Sequence, residues 1–237
     1  MDKLNVVRLG KLDYNEALSI QEKVLKLREE DIVNDTLLIV EHPPVITIGR
    51  TGKDSNIILP AEMLKSMGVS VYEVDRGGDV TYHGPGQIVG YPIIDLNNHG
   101  QDIKQFINNL KEVFIRLLEK EYSISAHGEE KKYTGVWINN EKITAIGVAI
   151  KHWVTMHGFA FNVNTNLDHY KWIVPCGITD RGVTSLKQLT GQAQDFDYLI
   201  GLVVKYFCEI FNFHPEITTI DELFEQEGAD NNVPTEA

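Results

Sequence analysis

Residues 133–164 constrain the fold more than any other stretch, because their pattern predicts three consecutive antiparallel strands. A short strand over residues 136–138 leads to an Asn-Asn pair at Asn139, which favours a tight turn, and an almost wholly apolar strand over residues 142–150 follows. Beyond a second turn, residues 155–163 alternate aromatic side chains with small or polar ones, as a sheet with one buried face requires. The sequence therefore predicts a sheet that is at least partly antiparallel.

Three further segments have the apolar periodicity of amphipathic helices. They begin after Asp13, near Gln101 and after Asp195. Short β segments lie between them, over residues 37–40, 45–48, 70–74 and 88–96. Helices and strands are interspersed without a regular βαβ repeat. We therefore predict an α+β fold in which helices pack on a mixed, largely antiparallel sheet.

The net charge of −12 is distributed unevenly over the 237 residues. Residues 216–237 contain seven acidic residues and no Lys or Arg, so that residues 1–215 carry a net charge of only −5. We predict a single domain over residues 1–215, followed by an acidic C-terminal tail over residues 216–237 that is disordered from Glu227 onward. Binding to nucleic acid requires a basic face, so we expect no nucleic acid partner.

The apolar and cysteine content indicates the cellular compartment in which the protein is expected. No apolar run approaches the roughly 20 residues of a membrane span, and the first residues lack the apolar core of a signal peptide. We expect a cytoplasmic protein without a membrane partner. The two cysteines, Cys176 and Cys208, match neither a disulfide framework nor a zinc finger. Cys208 adjoins the apolar stripe of the third predicted helix, so we predict that it packs in the core.

Residues 76–92 combine five glycines with an arginine, an aspartate, a histidine, two tyrosines and two prolines. Flexible linkers avoid such bulky aromatic side chains, whereas glycine lets a ligand approach the backbone closely. We interpret the stretch as a shaped loop that leads into a strand and surrounds a ligand. By itself, this composition is equally compatible with a phosphate, an adenylate or no ligand.

Cys176 lies outside any periodic apolar pattern, between Pro175 and Gly177. Proline fixes one backbone dihedral and glycine frees the next, which presents a thiol at a bend. A nucleophilic thiol needs a neighbouring cation or base, because its ordinary pKa is about 8.5. A buried structural cysteine remains the alternative at this stage.

The chain offers two kinds of partner for such a thiol. His83 and His157 each precede a glycine and are candidate bases, although an imidazole bonded to backbone is the simpler interpretation of either. Lys142 begins the apolar strand, where burial would turn it into a base, and an exposed strand-end lysine is the alternative. The histidines are irregularly spaced and lack evident carboxylate partners, so we predict no metal site.

Six motifs together resemble the octanoyltransferases of the lipoate pathway, which transfer octanoyl from acyl carrier protein to a protein lysine. In the order of the family they are residues 42–50 (HPPVITIGR), 76–92, 135–137 (GVW), 142–147 (KITAIG), 157–164 (HGFAFNVN) and 175–177 (PCG). The resemblance covers roughly residues 37–189. The long loop together with the Lys142 and Cys176 pair is its specific part, since Pro-Cys-Gly alone would mean little.

The resemblance implies the fold of the biotin and lipoate protein ligases, a mixed sheet with packed helices. It implies a catalytic dyad in which Cys176 forms an acyl thioester, while Lys142 lowers the pKa of the thiol and acts as acid and base. The implied substrate-binding residues are Arg76, Gly77, Gly78, Asp79, Val80, Thr81, Tyr82, His83, Ala145, Ile146, Gly147, Gly158, Phe159 and Ala160. His83 then shapes the acyl slot and is no longer the preferred base.

The resemblance also implies the partners. The donor would be octanoyl-acyl carrier protein, and the acceptors would be lipoyl domains of 2-oxoacid dehydrogenases and the glycine cleavage H protein. Exchange between thioesters is nearly isoenergetic, so we expect no ATP, no metal and no cofactor beyond the phosphopantetheine arm of the donor. An acidic carrier requires a local basic patch, for which the candidates are Lys131, Lys132, Lys151, Lys171, Arg181 and Lys187.

Three alternatives stay open. An ATP-dependent lipoate or biotin ligase with the same fold would not need Cys176, but residues 49–56 lack the Gln-Asn pair expected after the arginine in lipoate ligases. A related transferase could use a different acyl donor or acceptor. A non-catalytic protein could bind the carrier or the lipoyl domain, although the presence of both Lys142 and Cys176 argues against it.

Overall fold

The computed structural model describes residues 1–178 and 180–230, except for the side chains of Lys132, Cys176 and residues 228–230. The strands are β1 (Asp2–Lys11), β2 (Thr36–Glu41), β3 (Val45–Ile48), β4 (Ser70–Glu73), β5 (Val80–His83), β6 (Gln87–Ile93), β7 (His127–Glu129), β8 (Gly135–Ile138), β9 (Glu141–Lys151), β10 (Val154–Asn162), β11 (Gly182–Val183) and β12 (Phe213–Thr218). The α-helices are α1 (Tyr14–Glu29), α2 (Ala61–Ser66), α3 (Ile103–Tyr122), α4 (Leu186–Thr190), α5 (Phe196–Phe211) and α6 (Ile220–Asp230).

Nine strands form one mixed sheet in the order β12-β1-β2-β6-β10-β9-β8-β7, with β11 paired to β9. The predicted meander is confirmed, because β8, β9 and β10 pair antiparallel in succession. Asn139 turns the chain between β8 and β9 with a φ of 51°, in the left-handed region that asparagine tolerates. Pairing of β10 with β6 then joins the meander to the N-terminal part of the chain.

Helices cover both faces of this sheet, and the α+β prediction is confirmed. On one face α3 and α5 bury residues such as Phe114 and Phe207, and on the other α1 and α6 bury Val24 and Leu223. Cys208 lies in α5 and is buried as predicted, and burial raises the pKa of its thiol to about 11. No helix within the described ranges combines the length and apolar character needed to cross a bilayer.

The three predicted helices are present: two begin after Asp13 and Asp195 as predicted, and the one predicted from near Gln101 begins after Asp102. The side chains of Asp13, Asp102 and Asp195 each accept a hydrogen bond from a backbone N–H of the following turn. This capping satisfies a donor that a helix start otherwise leaves without a partner.

A second, three-stranded sheet has the order β4-β3-β5. Its apolar side chains, including Ile46, Val80 and Tyr82, form a separate cluster with Tyr170 and Ile173. The strands β2 and β3 are neighbours in sequence but lie in different sheets, so the His-Pro-Pro turn between them carries the chain from one sheet to the other. A cavity lies between the two sheets.

The C-terminal boundary predicted at residue 215 differs from the structure. Strand β12 pairs in parallel with β1, and α6 follows it with Leu223 fully buried. The acidic composition concealed these elements, because their charges lie on exposed positions while single apolar residues pack inward. Residues 231–237 of the predicted tail lie outside the described residues.

Candidate active site

A cavity of about 570 Å³ lies where the small sheet meets β6, β9 and β10 of the large sheet. The three segments predicted to bind substrate come together around it. Twelve of the fourteen predicted residues line it, namely Arg76, Gly77, Gly78, Asp79, Thr81, His83, Ala145, Ile146, Gly147, Gly158, Phe159 and Ala160. Their convergence from distant parts of the sequence makes this cavity the candidate active site.

The other two predicted residues, Val80 and Tyr82, do not line the cavity. Both are buried on the opposite side of β5, in the apolar cluster of the small sheet. Successive side chains of a strand point to opposite faces, so Thr81 and His83 reach the cavity while their neighbours cannot.

The loop that follows Arg76 forms one wall and is held through its backbone. The N–H of Gly77 donates to the carbonyl of Val148 on β9 at 2.9 Å. The guanidinium of Arg76 is buried and donates from Nη2 to both the carbonyl and the hydroxyl of Thr47, each at 2.8 Å. These bonds satisfy a buried cation and fix the loop against both sheets.

Gly147 allows this loop to approach β9 closely. A Cβ atom at Gly147 would lie 2.7 Å from the carbonyl oxygen of Gly77 and 3.4 Å from Cδ of Arg76. Contacts of 2.7 Å are not tolerated by real Cβ atoms, so any larger residue would push the loop away. The narrow wall of the cavity therefore depends on glycine at this position.

Lys142 lies at the start of β9 with only 7% of its surface exposed, as expected of a strand-end lysine that points inward. Its Nζ donates to the backbone carbonyl of Thr134 at 3.3 Å and lies 4.9 Å from the centroid of the Trp137 ring. Lys142 and Thr134 both line the cavity. The structure thus places a buried amine at a fixed position in the candidate site.

The turn that contains Cys176 packs against Asp79 in the wall of this cavity. Pro175–Gly177 forms one 3-10 turn, in which Gly177 has a φ of 63°. A Cβ atom at Gly177 would lie 2.8 Å from Oδ2 of Asp79, a residue of the cavity wall. The Cys176 side chain lies outside the described part of the structure, but its backbone is next to this contact.

The chain that leaves this turn returns to Lys142. Strand β11 pairs with β9 so that Val183 lies opposite Lys142, and the N–H of Thr184 donates to the Lys142 carbonyl at 3.0 Å. The chain thus approaches Asp79 closely at Gly177 and is attached to Lys142 at residues 182–184.

Arg181 strengthens this second attachment. Its guanidinium lies 4.2 Å from the centroid of the Tyr133 ring and 5.0 Å from that of Trp137, and it forms an ion pair with Glu129 at 3.0 Å. Because Lys142 also lies over Trp137, this indole ring contacts two cations, Arg181 just before β11 and Lys142 on β9.

The two candidate histidine bases have structural partners. Gln87 donates its amide hydrogens to the Tyr82 carbonyl and to Asn162, so its oxygen, 2.9 Å from Nδ1 of His83, accepts a hydrogen bond from that nitrogen. Burial, with a smaller contribution from nearby His42, lowers the pKa of His83 to about 3. His83 is therefore a neutral imidazole whose Nε2 is the remaining acceptor.

His157 contacts a carboxylate. Its Nε2 lies 2.8 Å from Asp75, which also pairs with Lys151 at 3.3 Å. Burial nevertheless lowers the pKa of His157. Among the described residues, no three His, Cys, Asp or Glu side chains are arranged to hold a metal ion.

Several lining residues were not identified from the sequence, including Tyr14, Tyr91 and Ile107. Tyr91 donates to Nε2 of His42 at 2.7 Å, because Nδ1 of that histidine donates to the Leu12 carbonyl at 2.8 Å. Tyr91 belongs to the glycine-rich stretch and could have been proposed from it. Tyr14 and Ile107 lie on helices whose sequences carry no signal of a site.

Comparisons with solved structures define the fold. A bi-partite lipoate protein ligase from Thermoplasma acidophilum superposes with a TM-score of 0.72 at 16% identity, covering 98% of this chain and 93% of that one. A biotin protein ligase from Aquifex aeolicus superposes with a TM-score of 0.52 at 15% identity, covering 90% and 70%. The predicted fold of the lipoate and biotin protein ligases is confirmed.

Sequence comparisons define the family. Residues 13–208 match the model of the lipoyl protein ligase A/B catalytic domain. An octanoyltransferase from Caldicellulosiruptor saccharolyticus is 60% identical over 88% of this chain and 89% of its own length. An octanoyltransferase from Desulforamulus reducens is 54% identical over 94% of this chain and 97% of its own length.

The chain thus has the fold of the lipoate protein ligases, with Lys142 lining a cavity in it. The chain belongs to the lipoyl protein ligase A/B catalytic-domain family and, within it, to the octanoyltransferases. The resemblance seen in the motifs is confirmed, and the protein is an acyltransferase.

Proposed function

We propose that this enzyme transfers octanoyl from octanoyl-acyl carrier protein to the ε-amine of a lipoyl-domain lysine, through a thioester on Cys176. The acceptors would be lipoyl domains of 2-oxoacid dehydrogenases and the glycine cleavage H protein. The observation that carries the proposal is that Lys142 lines the cavity while the Pro175–Gly177 turn packs against Asp79 of the cavity wall. The Thermoplasma ligase is described together with an E2 lipoyl domain, which supports this class of acceptor.

In the first half-reaction, the Cys176 thiolate attacks the carbonyl carbon of the carrier thioester. A carbon–sulfur bond to Cys176 forms, the bond to the phosphopantetheine sulfur breaks, and Lys142 as an ammonium protonates the leaving thiolate. An ammonium next to a thiol also stabilises its thiolate form. The fixed position of Nζ, bonded to the Thr134 carbonyl, supports this role.

In the second half-reaction, the acceptor amine attacks the Cys176 thioester and the Cys176 thiolate leaves. An ordinary lysine amine is about 99.9% protonated at pH 7, so it must lose a proton before it can attack. That proton goes to solvent, and Lys142, left neutral by the first half-reaction, accepts the second proton, which the amine nitrogen loses as the amide forms. The net change is one thioester and one amine converted to one amide and one thiol, with Cys176 and Lys142 restored.

The cavity would hold the octanoyl chain in its apolar part, against Ile146, Val148 and Phe159. Burial of about seven methylene and methyl groups is worth roughly 5–6 kcal/mol at about 0.8 kcal/mol each. That free energy favours octanoyl over acetyl by several orders of magnitude. We propose that His83 shapes this slot as a neutral imidazole and is not the base, because its pKa of about 3 leaves it a very weak one.

We also propose that the reaction uses no ATP, metal or other cofactor. The free energy of the donor thioester already exceeds that of the product amide, so no adenylate is required. Oxyanion stabilisation would come from backbone N–H groups of the Pro175–Gly177 turn or the loop after Arg76.

The donor distinguishes this proposal from an ATP-dependent ligase. We expect transfer to a lipoyl domain from octanoyl-acyl carrier protein without ATP, and none from free octanoate with ATP. The Cys176→Ser variant should lose transfer from the carrier. Product formed from free octanoate and ATP, or full activity of Cys176→Ser, would contradict the proposal.

A further inference from the structure

Most cations of this acidic protein are neutralised by its own carboxylates. Of the six basic residues predicted to bind a carrier, Lys151 pairs with Asp75 at 3.3 Å, Lys171 with Asp168 at 2.6 Å and Arg181 with Glu129 at 3.0 Å. A partner would have to break these pairs before using the cations. These pairs lower the net positive charge that the three residues present to a partner.

Three other cations line the cavity or lie next to its lining residues, and they are called the rim cations: Arg50, Lys53 and Lys131. All three are exposed, and none has an ion-pair partner within the described part of the chain. Their backbones are attached to the cavity wall or contribute to it. The N–H of Arg50 donates to the Arg76 carbonyl at 3.0 Å, and that of Lys53 donates to Oδ1 of Asp79 at 3.3 Å.

Lys131 completes the rim on the side of the amine. It lines the cavity together with Thr134, whose carbonyl accepts the hydrogen bond from Lys142. Thr51, between Arg50 and Lys53, lines the cavity as well. Three exposed cations without ion pairs among the described residues are unusual on a protein of net charge −12.

We propose that the rim cations dock the acidic surface of the carrier protein that delivers the octanoyl thioester. This inference rests on the proposed function, since it assumes a carrier-bound donor. The donor enters the cavity behind an anionic phosphodiester arm, which the rim attracts. The acceptor enters behind a lysine ammonium, which the rim repels, so charge complementarity selects the donor.

The proposal predicts an effect on association with the carrier. Exposed cations accelerate encounter with an acidic partner and do so less at high salt. Charge reversal in the double variant Arg50→Glu, Lys53→Glu should lower kcat/KM for octanoyl-acyl carrier protein roughly tenfold or more at low ionic strength. It should also flatten the salt dependence of the Cys176 acylation rate.

Two controls separate docking from chemistry. Octanoyl-N-acetylcysteamine, a neutral thioester without a carrier, should acylate the double variant and the unmodified protein at equal rates. Lys120→Glu makes the same kind of charge change at an exposed lysine without an ion-pair partner in the described chain, near the far end of α3 from Ile107. At about 1.5 Å per residue these two positions are roughly 20 Å apart, so Lys120→Glu should leave kcat/KM for the carrier within about twofold.

The outcomes are distinct. Docking is overturned if the double variant is acylated by the carrier at the normal kcat/KM, if Lys120→Glu has an equal effect, or if only transfer to the lipoyl domain slows. An unmodified protein that neither thioester acylates on Cys176 overturns the proposed function, and the docking proposal with it.

Discussion

Lys142 shows how a single residue can serve both half-reactions of this enzyme. Its amine is buried beside the Trp137 ring and bonded to the Thr134 carbonyl, so it enters the cavity at a fixed position. A fixed amine can donate a proton to one leaving thiolate and accept one from the incoming lysine. A freely moving surface lysine would do neither efficiently.

Replacing Lys142 by arginine separates its charge from its basicity. Arginine keeps a cation that stabilises the thiolate but cannot be deprotonated. In Lys142→Arg the leaving thiolate of the donor must take its proton from solvent, so acylation of Cys176 should slow, but less than the transfer of octanoyl to an amine. We expect the second half-reaction to slow by roughly 10²–10⁴-fold in single-turnover assays. Lys171→Arg, at an exposed lysine paired with Asp168, is the control and should behave normally. Equal rates of amide formation in both variants would remove Lys142 as the base.

Much of the site could be predicted at the residue scale, since twelve residues of three sequence motifs line the cavity. The errors have physical causes. Val80 and Tyr82 were included because the motif is continuous, whereas a strand presents only alternate residues to one side. Tyr14 was missed because the fold, and not its local sequence, brings the start of α1 to this cavity.

At the scale of elements, local contacts were predictable and distant ones were not. The β8–β9–β10 meander joins neighbours in sequence, so its turns and alternation were sufficient to predict it. The pair β1 and β12 joins opposite ends of the chain in parallel, and no local pattern specifies that partner. The helix α6 was missed for the same reason, because its stability comes from packing against α1 and the sheet.

The C-terminal helix should contribute to stability in spite of its acidic composition. Leu223 is fully buried in the cluster under α1, so Leu223→Ala should lower the free energy of unfolding by about 2–5 kcal/mol. Ile217→Ala, at a side chain that is 73% exposed, should change it by less than about 0.5 kcal/mol. Chemical denaturation would measure both. Equal, small effects would mean that α6 is not part of the cooperative fold.

At the scale of the whole molecule, buried histidines should make the protein sensitive to acid. Burial lowers the pKa values of His42, His83 and His157 below the ordinary 6.5. Between pH 6.5 and 4.5 the unfolded chain therefore binds protons that the folded state does not, and the free energy of unfolding falls as pH falls. Each such histidine contributes up to about 1.4 kcal/mol per pH unit.

His99 affects the free energy of unfolding in the opposite direction and over a different pH range. Its hydrogen bond to Asp35 raises its pKa, so its stabilisation is fully present below pH 6.5 and is lost as pH rises through the raised value. Denaturation at closely spaced pH values would resolve both effects. A free energy of unfolding that stays constant from pH 6.5 to 4.5 would contradict the burial of the three neutral histidines.

The central claim is that octanoyl passes through a thioester on Cys176 next to Lys142. Mass spectrometry of the protein after incubation with octanoyl-acyl carrier protein, without an acceptor, tests it most directly. The account predicts one added octanoyl group, located on the Cys176 peptide, released by hydroxylamine and lost on addition of a lipoyl domain as the amide product appears. Octanoyl amide formed at full rate without any such adduct, or an adduct on Cys208, would contradict it.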